Sequence, residues 1–313
     1  MAQIPLQDKF MRTALSVAGF PLFLYQLAIS GIESLKFKPA GRLVDIGSKK
    51  LHACVAGAGG PTVILEAGMG GCALGWSYVQ HELAKHGTIL SYDRAGVGWS
   101  KGKAERLTCS GYVDDLKALL DQLGLKPPYL LVGHSYGGMV MRLFASRYPK
   151  DVLGIVLVDS TAEHRFIPAQ LGERRMRERK KHGKLYRWGY CLAPIAIPRF
   201  LGKHIGMRGL HANAQAAIHA LGFRSRAYET VYSEFLNAEE SANELLAAEP
   251  LPSEMPVRVL TAGYQSEEWK LDQRKLLQLT ERVKQTVVED SWHSIQIYQP
   301  KAVVDAALEL MNG

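Results

Sequence analysis

The sequence predicts an α/β domain built on a mostly parallel sheet flanked by helices, with a long helical insertion before the last strands. Three observations predict it. From residue 62 to residue 158, short apolar runs alternate with amphipathic stretches of about three turns. That alternation stops at Ser160 and returns only at the apolar run 257–261. Within the first alternation, a glycine-flanked serine, Ser135, stands where an apolar strand gives way to a helix. Parallel strands joined through helices imply right-handed crossovers, and 313 residues suffice for one such domain and an insertion.

In chain order, residues 42–47 and 50–56 read as two strands of a hairpin joined through Gly-Ser-Lys. After the turn at 57–61 come a buried strand at 62–67, a helix at 76–85 and a strand at 88–92. A glycine-bearing loop at 93–103 leads to a helix at 111–123. A strand at 129–132, a helix at 136–148 and a strand at 153–158 follow. No strand pattern appears between about 161 and 250; that segment reads as helices, charged first and mixed afterwards. The sheet resumes with 257–261, a helix at 268–280, a strand at 283–288 and a closing helix at 301–311. The organisation is an apolar N-terminal segment at 1–40, a core at 41–160 and 251–313, and a helical lid at 161–250.

A hydrophobic content of 47% with 22% charged residues excludes a disordered chain. The net charge of +8 is concentrated between Arg165 and Arg208, where Glu173 and Glu178 are the only acids. A solvated helix face accounts for such a block. Without a zinc, helix-turn-helix or RNA-binding motif it does not point to nucleic acid. The four cysteines show neither paired nor zinc spacing, and His81 and His86 miss the H-E-x-x-H register, so no metal is expected.

Residues 13–32 form an uncharged stretch about as long as a bilayer-crossing helix. Three readings compete: a membrane anchor, a cleaved secretory signal with Ala28 and Ser30 before Gly31, and an apolar helix lying on a membrane or on the rest of the chain. The first makes the protein membrane-associated, the second secreted, and the third leaves a cytoplasmic location open. In the lid, the basic run 174–181 precedes the apolar run 190–197. This pair reads either as a seat on anionic membrane that admits lipid-like substrates, or as a charged outer helix followed by a buried pocket wall.

The strand 129–132 runs directly into Gly133-His134-Ser135-Tyr136-Gly137-Gly138, the G-x-S-x-G pattern in a strand–turn–helix setting. A serine on such an elbow needs neighbours without side chains, and Gly133 and Gly137 provide them. With Tyr92-Asp-Arg-Ala-Gly-Val-Gly-Trp-Ser100 upstream and Ser291-Trp-His-Ser294 near the end, the chain resembles the α/β-hydrolase superfamily. It is similar in particular to single-domain serine esterases and lipases with a membrane-associated leader. The resemblance runs from about residue 41 to 311, weakly across the lid. It implies the α/β-hydrolase fold, a Ser–His–acid triad in that chain order, an oxyanion hole and no cofactor.

Serine needs a base, and imidazole titrates near neutral pH. His293 follows the last strand and precedes the last helix, at the carboxyl edge of the sheet, which makes it the expected base. The acid departs from the family pattern. The segment after strand 257–261 reads Ala262-Gly-Tyr-Gln-Ser-Glu-Glu268, without an aspartate before Asp272. One strand earlier, Asp159 ends the run Val156-Leu-Val158 at a position some lipases of the superfamily use. Asp159 is the expected acid, with Glu267 or Glu268 as alternatives. The oxyanion donors implied are the backbone N–H groups of Tyr136 and Met69.

The expected reaction is acyl-bond cleavage of a small-molecule substrate, foremost a carboxylic ester; amide hydrolysis and acyl transfer use the same triad. An aspartate at 135 would instead indicate epoxides or haloalkanes. Two rivals come from other classes. Gly68-Met-Gly70-Gly-Cys-Ala73 with Asp93 resembles a dinucleotide-binding fingerprint, which would make the chain an oxidoreductase but leaves Ser135 and His293 unexplained. The other is a non-catalytic membrane-associated protein of the same fold. Asp93 and Arg94 are expected to hold their own loop together.

Overall fold

A computed structural model describes residues 3–102 and 107–312 of the chain. The strands are β1 (Arg42–Asp45), β2 (Lys50–Ala56), β3 (Thr62–Glu66), β4 (Thr88–Tyr92), β5 (Tyr129–His134), β6 (Val152–Val158), β7 (Val257–Ala262) and β8 (Val283–Val288). They form one sheet in the order β1-β2-β4-β3-β5-β6-β7-β8. β1, β2 and β4 pair antiparallel; all pairs from β4 to β8 are parallel. The loop expected at 93–103 lies in the described residues except for Lys103.

The helices are α1 (Leu6–Ala18), α2 (Phe20–Lys36), α3 (Ser77–Leu83), α4 (Cys109–Leu123), α5 (Tyr136–Arg147) and α6 (Glu173–Leu192). They continue as α7 (Ile197–Phe200), α8 (Ala212–Gly222), α9 (Ser225–Leu246), α10 (Glu267–Lys275), α11 (Ile295–Tyr298) and α12 (Pro300–Asn312). Helices cover both faces of the sheet. On one face, Tyr112 and Leu116 of α4 and Val140 and Phe144 of α5 pack on Leu131, Ile155 and Val257. On the other, Val79 and Leu83 of α3 and Val303 and Ala307 of α12 pack on Val63, Leu130 and Val156. Covered on both faces, β3, β5 and β7 are buried along their whole length and lack the alternating exposure of a half-exposed strand.

The N-terminal segment departs from the expected single span. No single helix among the described residues is long and apolar enough to cross a membrane; α1 and α2 pass that test only together, bent by 95°. The break has a local cause. Pro21 has no N–H to offer the carbonyl of Val17, so one helix cannot run through. A side chain on Gly19, at the corner, would stand 2.9 Å from Ile195 Cγ2.

The apolar run 190–197 also differs from the pocket wall or membrane seat expected for it. Tyr190, Cys191, Ala193, Ile195 and Ala196 are buried, and Tyr190 and Cys191 pack with Met11 and Leu15 of α1. Its apolar surface is spent on seating the N-terminal helices. Much of the basic run before it is paired with acids. Arg175 pairs with Glu268 and Asp272, and Asp272 also accepts from His164 and Arg165, each at 2.6 Å. These donors hold the Asp272 carboxyl well below its ordinary range against the opposing effect of burial. Lid helix α6 is thereby tied to α10 of the core.

Candidate active site

The carboxyl ends of the parallel strands bring together residues far apart in sequence. Ser135 follows β5 and opens α5 with φ 51° and ψ −120°, a strained conformation for a residue with a side chain. Such a conformation costs of order 1–3 kcal/mol and persists only where its surroundings enforce it. The enforcement is steric. A Cβ on Gly137 would lie 2.6 Å from the carbonyl oxygens of Glu66 and Ala67, and one on Gly133 2.7 Å from Gly137 O. The backbone of the elbow is thus pressed against β3 and its own helix.

Asp159 follows β6, is fully buried, and has a positive φ of 43°. Its Oδ2 lies 2.7 Å from His293 Nδ1, in the loop after β8. The other partners complete the carboxylate. Oδ1 accepts from Ala262 N at 3.0 Å and Trp269 Nε1 at 2.9 Å; Oδ2 also accepts from Gln265 Nε2 at 2.7 Å. Gln265 occupies the stretch after β7 where the resemblance led to the expectation of an acid, and here it donates to the carboxylate of Asp159 from the neighbouring strand. Glu267 and Glu268 lie elsewhere: Glu267 pairs with Lys270, and Glu268 with Arg174 and Arg175 of the lid.

Ser135 and His293 line the same cavity, but in this structure they share no hydrogen bond; Ser135 Oγ lies 3.3 Å from Thr161 Oγ1 instead. Catalytic hydrogen bonds often form only with substrate bound. His134, the serine's neighbour, turns beneath the loop of His293. Its Nε2 donates to the His293 carbonyl at 3.1 Å, and the two rings are 4.6 Å apart. Burial first, and the neighbouring imidazole second, push its pKa well below the ordinary histidine value, so it stays neutral. Its role is to hold the backbone of His293.

Met69 lies in the loop after β3 and lines the cavity beside Ser135 and Tyr136. Tyr136 is the first residue of α5, so its N–H has no partner within the helix. The Met69 loop is shaped by a buried polar cluster. Arg94 donates to the carbonyls of Ala67 at 2.6 Å and Gly68 at 2.8 Å, while Glu234 of lid helix α9 accepts from Gly70 N at 3.1 Å. Arg94 also pairs with both Glu66 and Glu234, at 2.8 Å for the latter. Burial pushes the Glu66 carboxyl up, with the Arg94 charge opposing. Removing the Arg94 charge would leave the buried carboxylates of Glu66 and Glu234 facing each other. Arg94→Met is therefore expected to cost roughly 3–5 kcal/mol of stability, read from chemical denaturation curves; a loss under about 1 kcal/mol would show that the cluster does not hold the loop.

Asp93, the other charged residue of that motif, accepts from Ala73 N at 2.7 Å, from Trp99 N at 2.9 Å, and meets His52 Nδ1 at 2.8 Å. It is fully buried, so a dinucleotide ribose cannot reach it. The cavity above Ser135 measures about 600 Å³. Phe166, Leu171, Tyr186, Phe235 and Trp269 supply apolar wall, and Arg165, Arg179 and Arg208 line it as well. Sequence reasoning missed Thr161, Gln265, Trp269 and the bracing role of His134. Only Gln265 left a signal, by standing where an acid was expected.

Comparison with known proteins agrees with this fold. A family model described as alpha/beta hydrolase fold matches residues 61–189. The protein YqjL of Bacillus subtilis is 34% identical over 131 residues, 41% of this chain and 52% of YqjL. The matched region thus spans about half the length of that relative. Among solved structures, the epoxide hydrolase CorEH superposes with a TM-score of 0.69 at 18% identity, covering 86% of this chain and 96% of CorEH. An esterase from Thermogutta terrifontis superposes with a TM-score of 0.63 at 22% identity, covering 83% and 92%.

Proposed function

We propose that this chain is a serine hydrolase of the α/β-hydrolase superfamily, cleaving a carboxylic ester through an acyl-enzyme on Ser135. The observation that carries the reading is the arrangement around one cavity: a strained elbow serine, and an imidazole whose Nδ1 is held 2.7 Å from a buried carboxylate. A proton on Nδ1 directed at Asp159 leaves Nε2 as the free base.

In the proposed mechanism Ser135 Oγ attacks the ester carbonyl while His293 Nε2 takes its proton. Negative charge collects on the former carbonyl oxygen and is met by the N–H groups of Met69 and Tyr136. His293 then gives the proton to the departing alkoxide, releasing the alcohol and leaving an acyl group on Ser135. Water, deprotonated by His293, attacks that ester; collapse releases the acid and restores the serine. Asp159 orients the imidazole and stabilises its cation. Serine, rather than aspartate, at the elbow favours acyl substrates over epoxides. The apolar wall of the cavity suits the acyl chain of a small-molecule ester.

A fluorophosphonate probe tests this directly on the full chain. The expected result is a stoichiometric adduct on the peptide carrying Ser135, together with turnover of p-nitrophenyl esters that the adduct abolishes. An unlabelled Ser135 in a chain that still turns over esters would overturn the assignment of the nucleophile.

A further inference from the structure

The two N-terminal helices are inside out for a surface that faces water. The residues they bury most are polar: Asp8 is 1% exposed and Gln26 3%. Asp8 accepts from Arg187 Nε at 2.7 Å and from the Tyr232 hydroxyl at 2.9 Å. Gln26 donates to the carbonyl of Phe223 at 2.8 Å and accepts from Arg199 Nε at 3.1 Å. Glu33 takes both terminal nitrogens of Arg199, at 2.6 and 2.8 Å. The opposite face carries Phe10, Val17, Phe20, Leu24, Leu27 and Ile32, exposed by between 49% and 75%. From Phe20 to Ile32 there is no charged residue. Lysines bracket the face instead: Lys9 at one end, Lys36 and Lys38 at the other, none of them in an ion pair among the described residues.

We propose that α1 and α2 lie in the plane of an anionic lipid bilayer, with this outer face sunk into the boundary between headgroups and acyl chains. Contiguous exposed apolar surface of this kind marks an interaction site, and three features select lipid as the occupant. The apolar residues follow one face of two helices, as in membrane-surface helices. The bracketing lysines are placed to meet anionic headgroups. A second copy of the same face would instead bring like charges together. Length and anchorage argue for lying on the bilayer over crossing it: the 17 residues of α2 rise about 25 Å, against about 30 Å of hydrocarbon, and α1 leaves it at 95°. Standing α2 upright would also break the Arg199 pairs. The single uncharged stretch at 13–32 therefore reads as a surface anchor folded across the lid. Its seat is built on α6 and α9, which also contribute Arg179, Tyr186 and Phe235 to the wall of the cavity. The proposal does not depend on the chemistry of Ser135.

Flotation of the full chain with vesicles of phosphatidylcholine, with and without phosphatidylglycerol, tests it. The protein is expected to rise with the phosphatidylglycerol vesicles. The combined variant Leu24→Ser, Leu27→Ser, Ile32→Ser is expected to lower the floated fraction at least tenfold without moving Tm, because these side chains are exposed. A second variant, Lys9→Ser, Lys36→Ser, Lys38→Ser, is expected to lose the preference for anionic vesicles. A wild-type chain that stays at the bottom with both vesicle types overturns the proposal, as does a serine variant that floats like the wild type. A face that instead mediates a concentration-dependent dimer, abolished by the serine variant and without flotation, assigns it to a second copy and equally overturns it.

Discussion

Ser135→Ala is expected to lower kcat for ester hydrolysis by roughly four to six orders of magnitude. The loss is expected to fall on chemistry because the substitution removes the hydroxyl proposed to carry the acyl group and little else. Alanine meets the same strained backbone at position 135, and the hydroxyl gives up only a 3.3 Å contact with Thr161. The surrounding clamp of Gly133, Gly137 and β3 is unchanged, so Tm is expected to stay close to that of the wild type. Substrate affinity rests on the cavity wall and should also persist. Initial-rate kinetics on a soluble ester, paired with a thermal melt, separates the outcomes. A folded variant retaining more than about one-hundredth of the wild-type kcat, beyond the residual catalysis that binding and oxyanion donors supply, would remove Ser135 from the mechanism.

Asp159→Asn is expected to be almost as damaging, lowering kcat by roughly three to four orders of magnitude with a much smaller change in KM. Both oxygens of Asp159 receive donors: Ala262 N and Trp269 Nε1 on one, His293 Nδ1 and Gln265 Nε2 on the other. An asparagine offers one oxygen and one NH2 group. Whichever way it turns, the NH2 faces groups that also donate. Keeping the backbone bond to Ala262 sets that NH2 against His293 Nδ1. The imidazole must then accept there and carry its proton on Nε2, where the serine needs a base. Glu267→Gln is the control, since that residue pairs with Lys270 on the surface and is expected to leave kcat within about twofold. Equal and modest losses from both variants would mean that the imidazole is oriented by something else.

The elbow at Ser135 was legible in sequence because its constraint is local: two glycines at fixed offsets between a strand and a helix. The positions of His293 and Asp159 were legible for a related reason. Parallel strands end at one edge, so residues just past strand ends share a site wherever they lie along the chain. What could not be read is contact between residues more than a hundred positions apart. Gln265 and Trp269 complete Asp159, Glu234 of the lid fixes the loop after β3, and His134 carries the backbone of His293. None of these partners belongs to a periodic pattern, because a buried hydrogen bond needs one donor and one acceptor at the right distance and leaves no repeat behind.

The N-terminal segment divides the two kinds of information most clearly. By itself the sequence determined that residues 13–32 are uncharged and apolar, and that Pro21 stands among them. It determined in the same way the sheet rhythm and the serine elbow, since hydrophobic periodicity and steric demands on single residues are written in neighbouring positions. The tertiary structure alone decided how sharply the chain bends at that proline, by 95°, and that the two helices turn Asp8 and Gln26 inward, leaving Leu24 and Leu27 outside. Hydropathy sums over all faces of a helix. Which face is covered depends on where Arg187, Arg199 and Tyr232 stand once the lid has folded, and that is set by packing between distant parts of the chain.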